Sequence, residues 1–125
     1  MAKLFLTLAG LFGALGVALG AFGVHALKAQ LDNRALAIFE TATRYQLIHA
    51  VAIALVALLA LQQGTDEIST PLAISGWSYC LGIALFSGSL YGLALSGIKI
   101  LGAIAPLGGT AFIVGWIALA ISPWR

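Results

Sequence analysis

Residues 25–49 read HALKAQLDNRALAIFETATRYQLIH. This stretch holds both histidines of the 125-residue chain and, in Lys28, Asp32, Arg34, Glu40 and Arg44, half of its charged side chains. Long apolar runs lie on both sides of it. The chain is 62% hydrophobic and 8% charged, whereas soluble domains carry about 25% charged residues. Ten charged side chains cannot cover a water-soluble globule of this size, and a bilayer removes the need to. A charge at mid-depth costs roughly 2.5–3.5 kcal/mol, so charge belongs at the links and the uncharged runs belong in lipid.

A spanning helix takes about 20 mostly apolar residues. Four runs qualify, at about 4–24, 33–62, 72–95 and 98–121, with the apolar part of the second beginning near residue 45. The expected fold is all-α, a four-transmembrane-helix bundle forming one membrane domain over 1–125. Gln62 to Glu67 is a polar loop, Pro71 suits a first helical turn, and Ser96-Gly97 with Lys99 makes a very short turn. Short links force neighbouring helices to run antiparallel. The link between the first two helices is polar and amphipathic. Asp32 suits an N-cap, and a continuous helix from 33 to 62 would be about 45 Å long at 1.5 Å per residue. It either projects beyond a hydrocarbon core of about 30 Å or lays its first turns in the interface, with Leu36 and Phe39 towards lipid.

The N-terminal run has a basic start at Lys3 and small residues at 18–21, as a signal peptide would. It is longer than the usual apolar core of about 7–15 residues, so an uncleaved first helix is expected. Lysine and arginine counts orient the chain. Lys28, Arg34, Arg44 and Lys99 share one side, against Lys3 and Arg125 on the other, which puts both termini outside the cytoplasm of a bacterial inner membrane. A formal charge of +2 with no basic cluster excludes nucleic acid as a partner. The basic side is where anionic lipid headgroups gather. Cys80 is alone, which rules out an intramolecular disulfide.

In lipid, small residues let helix backbones approach. Ala9, Gly13, Gly16, Gly20 and Gly23 are spaced 4, 3, 4, 3 and fall within a stripe of about 80°. This predicts a packing face on the first helix, towards another helix of the chain or towards a second copy. Ser78, Gly82, Leu85, Ser89, Gly92 and Ser96 repeat the spacing on the third helix. Pro106 predicts a bend near 102–106. Trp77, Trp116 and Trp124 map to the side of the termini, as an anchoring belt would.

The candidate site is the polar cluster. Thr41, Tyr45 and His49 share a helix face, with Glu40 and Arg44 on the next. Arg44 can snorkel to water, whereas His49, about 7 Å deeper, cannot. One reading is structural, with Glu40 and Arg44 as an interface pair and Tyr45 and His49 bonded to neighbouring helices. A second is a site for a small polar ligand, a headgroup or a proton, with His49 titrating and Ser87, Ser89 and Tyr91 completing a polar path. A third is a metal site from His25, His49 and Glu40, for which two distant histidines give little support. No nucleophile, base and orienting acid stand in a triad pattern, so no catalytic residue, metal or cofactor is expected, and an enzyme is not.

Four segments carry a resemblance: LGAFGVHALK at 19–28, TATRYQLIHA at 41–50, LFSGSLYGLAL at 85–95, and PLGG at 106–109 followed by Gly115-Trp116. Together they resemble the YgdD-like family of small integral membrane proteins of unknown function. Val24 stands where that pattern has alanine. The resemblance implies four membrane helices and no known activity. Its shared motif residues here are His25, Tyr45, Gln46, His49, Ser87, Ser89 and Tyr91. The reading that results is a small polytopic membrane protein acting by binding or assembly, as a homo-oligomer through the first helix or as an accessory subunit. The alternative is a small channel or transporter using a polar site around His49.

Overall fold

The computed structural model describes residues 1–65 and 67–124. Four helices are long and apolar enough to cross a membrane: α1 (Ala2–Leu27), α2 (Asn33–Gln62), α3 (Thr70–Ser96) and α4 (Leu101–Trp124, its last turn 3-10). The described residues contain no strand. The expected order and antiparallel connection hold. Helix ends differ by a few residues from the apolar runs. α1 continues to Leu27 and α3 starts at Thr70, because helix outlasts the hydrophobic stretch at both points. Gly97 closes α3 in the left-handed conformation, φ 72°, with its N–H on Leu93 O at 2.8 Å. The reversal then takes Ile98–Ile100, so α4 starts at Leu101 rather than 98.

The link reads as expected at its start: Asp32 accepts the Ala35 N–H at 2.7 Å. α2 then runs unbroken for 30 residues, about 45 Å at 1.5 Å per residue. That length equals the ~40–45 Å of a bilayer with its headgroup zones, and the first turns of α2 pack within the bundle. Phe39 does not face lipid; it is 2% exposed, against Gly23 of α1 and the ring of Tyr91.

α2 is the central helix, flanked by α1 on one side and α3 on the other, with α4 against α3. The glycine stripe of α1 serves the α1–α2 contact. Ala9 and Gly16 are buried, and a Cβ on Gly16 would meet Leu47 at 2.8 Å. Gly20 faces Thr43 and Gly23 faces Phe39, whereas Gly13 stands at the edge of the face with nothing within 4 Å. Aromatic rings fill the glycine positions between α3 and its neighbours: Phe5 lies on Gly76, Phe112 on Gly82 and Tyr79 on Gly115. α1 widens to a π turn over Ala18–Gly23, and α3 over Ile83–Ser87. α4 stays helical through Pro106 from Leu101 to Ile121. Phe5, Ile53, Val56, Leu72 and Tyr79 form the core, and Leu11, Val51, Leu81 and Ile117 lie among the apolar side chains left outward, as lipid requires.

Candidate functional site

The inner face of α2 carries Ala42, Gln46 and His49, at i, i+4 and i+7. At 100° per residue these fall within about 60°, and between them they are bonded to all three other helices. The carbonyl of Ala42 accepts from Ser87 Oγ of α3 at 2.8 Å. Gln46, 2% exposed, donates from Nε2 to Phe12 O of α1 at 2.9 Å. Its Oε1 accepts the Tyr91 hydroxyl of α3 at 2.6 Å. A backbone carbonyl can only accept, so the Phe12 contact fixes which end of the amide points where. One amide thus ties three helices.

His49, 4% exposed, links α2 to α4. Its Nδ1 lies 2.7 Å from Tyr45 O, and its Nε2 lies 3.1 Å from Trp116 Nε1. A carbonyl accepts and an indole N–H donates, so Nδ1 carries the proton and Nε2 is the acceptor. The imidazole is neutral and both nitrogens are engaged. Its ring stacks on Phe112 at 3.6 Å and 11°. Tyr79 and Trp116 close further sides at 5.5 and 5.9 Å. Tyr45 lies outermost, 39% exposed, with its ring 4.6 Å from Phe86.

Several residues of the polar cluster stand outside this network. Glu40 and Arg44 are both exposed on the outer face of α2. Among the described residues no ion pair closes within 4.0 Å, so the expected interface pair does not form between them. His25 is exposed on the last turn of α1, and among the described residues no three histidine, cysteine, aspartate or glutamate side chains gather as metal ligands. Ser89 donates to Phe86 O within its own helix at 3.0 Å, and Thr41 to Ala37 O at 3.0 Å. Ser87 and Tyr91 thus bond to α2, whereas Ser89 bonds within its own helix.

Trp116 is the member that sequence reasoning missed. It is 43% exposed. Its indole N–H turns inward. The three carbonyl acceptors, Phe12 O, Ala42 O and Tyr45 O, carry no side-chain signature at all. In chemical terms Gln46, His49, Ser87 and Tyr91 form a set of paired donors and acceptors, while the buried hydroxyl of Tyr79, beside His49, makes no hydrogen bond.

A family model described as "Protein of unknown function (DUF423)" matches residues 19–109. The chain is similar to a UPF0382 membrane protein of Staphylococcus epidermidis, 42% identical over 120 residues, covering 96% of this chain and 94% of that one. It is similar to the UPF0382 membrane protein YwdK of Bacillus subtilis, 41% identical over 121 residues, covering 96% and 95%. A UPF0382 membrane protein of Haemophilus influenzae is 42% identical over 125 residues, covering 100% and 97%. No solved structure matches.

Proposed function

Because this chain belongs to the DUF423 family of UPF0382 membrane proteins, whose function is unknown, we propose that it acts by binding and assembly in the bilayer rather than by turnover. The likeness to the YgdD-like proteins is part of this reading and rests on the four motifs quoted above. One observation carries the proposal: Gln46, His49, Ser87 and Tyr91, four polar side chains of the site, are each engaged in a hydrogen bond that fastens one helix to another. A gate or a general base needs a site that opens to its proton or solute, and His49 is enclosed by rings on several sides. Flux through the cluster has correspondingly less support. None of the relatives named above bears an enzyme name, which agrees with a non-catalytic role.

The assembly surface in this reading is the outer part of α1. Gly10 and Gly13 are open there, with nothing within 4 Å of an added Cβ, and α1 is the least enclosed of the four spans. A second copy can approach closely at such positions. The membrane is the bacterial cytoplasmic membrane, with both termini outside the cytoplasm, as the distribution of Lys28, Arg34, Arg44 and Lys99 supports. Native mass spectrometry of protein released from lipid nanodiscs tests the proposal. A defined oligomer or a specifically retained lipid is the expected result, and a bare single chain overturns it. Gly10→Leu and Gly13→Leu should lower the oligomer fraction with folding intact. An unchanged fraction would remove α1 as the interface.

A further inference from the structure

At the end of the bundle opposite the termini, Gln30–Asp32 of the first link, the start of α2, the end of α3 and the α3–α4 turn line an open cavity of about 840 Å³. Two cations, Arg34 of the first turn of α2 and Lys99 of the α3–α4 turn, line it, and both are exposed. The one carboxylate on its wall, Asp32, already accepts the Ala35 N–H at 2.7 Å. The Ser96 hydroxyl is likewise engaged, donating to Gly92 O and accepting from Ile98 N. Among the described residues Arg34, Lys99 and the Gln30 amide make no side-chain hydrogen bond or ion pair. Half-buried Leu31, Ile38 and Leu93 form an apolar floor beneath them.

We infer that this cavity is a site for the phosphate headgroup of an anionic phospholipid. The inference rests on the binding role proposed above and names its ligand. Two cations against one engaged carboxylate leave a net positive rim, which suits a phosphodiester. The volume lies in the range of pockets that hold whole small molecules, well beyond what inorganic phosphate fills, and the apolar floor suits the glycerol and first methylenes of a lipid. The position agrees as well. α2 is long enough to cross the headgroup zones along with the hydrocarbon, so Arg34 at its first turn stands at headgroup level.

The test uses the full chain in nanodiscs mixing phosphatidylglycerol with phosphatidylcholine, with retained lipid read by native mass spectrometry. The parent should retain phosphatidylglycerol selectively. Arg34→Gln and Lys99→Gln should each weaken that retention about fivefold, the effect of one surface cation on an anionic lipid. Lys28→Gln, at the same end and exposed but outside the cavity, should leave it unchanged. Both cavity residues are exposed, and an unaltered unfolding transition in detergent establishes that each variant is folded. Equal retention of phosphatidylcholine, equal loss in Lys28→Gln, or displacement by millimolar inorganic phosphate overturns the site. An oligomer that retains no phosphatidylglycerol removes the site and leaves assembly standing, whereas a bare single chain removes both.

Discussion

Gln46 and His49 illustrate why polar residues persist in an apolar helix. Each offers a donor and an acceptor; Gln46 finds both partners on other helices, and His49 finds one in its own helix and one on α4, where helices have no hydrophobic drive to associate in lipid. Such a bond contributes modestly, about 0.6 kcal/mol on average, but losing one partner strands the others. Gln46→Leu leaves the Tyr91 hydroxyl and the free lone pair of Phe12 O without their partners. It should destabilise the bundle by about 1–3 kcal/mol, measured by denaturation in bicelles; parent-like stability would show that the amide is not a fastener. His49→Phe combined with Trp116→Phe, run as a double-mutant cycle, should give a coupling of about 0.6–1.7 kcal/mol, and zero coupling would remove the indole–imidazole bond. Serine gives the opposite contrast. Ser75 is fully buried, and neither its Oγ nor the buried Tyr79 hydroxyl closes a hydrogen bond, so Ser75→Ala should cost less than ~1 kcal/mol. Ser87→Ala removes a real bond and should be destabilising in the same assay.

Glycine placement governs the element scale. The two adjacent glycines after Pro106 do different things. A Cβ on Gly108 would run into the backbone N and Cα of Phe86, whereas on Gly109 it meets only Phe86 Cδ2 at 3.9 Å. Backbone cannot yield as a side chain can. Gly108→Ala should cost about 1–3 kcal/mol by overpacking. Gly109→Ala should be neutral or gain up to about 1 kcal/mol of helix propensity. If the two variants melt alike, the close α3–α4 approach is wrong. The same distinction sorts the α1 stripe into Gly16, which abuts Leu47, and Gly13, which abuts nothing. It also explains why a substitution at Gly16 reports on folding rather than on self-association.

For the molecule as a whole, the antiparallel order puts the α1–α2 and α3–α4 links on one side and the α2–α3 loop on the other. Gln30→Cys and Thr65→Cys, both at exposed positions, should therefore react with a membrane-impermeant maleimide from opposite faces of intact vesicles. The natural Cys80, half-buried within α3, should stay unlabelled. Labelling of both introduced cysteines from one face would break the four-span topology. The exposed residues of α2 follow the same geometry: Glu40 and Arg44 continue the outward line of Ile48, Val51 and Leu55. They occupy the end of that line where the helix reaches headgroups, which is where a charge can snorkel.

The amino-acid sequence by itself determined four spans, their antiparallel order, the Asp32 cap and the presence of a packing face on α1. Each of these follows from local quantities: the length of an apolar run, the period of small residues, the brevity of a link. Only the tertiary structure decided which partner each polar group takes. Trp116 reads as an interfacial anchor until α4 is seen to bring it 3.1 Å from His49, 67 positions away in the chain. Gln46 reads as one polar residue among several until it is found between Phe12 O and Tyr91. Phe12 O, like the Ala42 O that Ser87 reaches, is a backbone carbonyl, which every residue possesses and no sequence distinguishes. The cavity holding Arg34 and Lys99 is of the same kind, because the start of α2 and the α3–α4 turn, 65 positions apart at these two residues, are brought together only by helix packing.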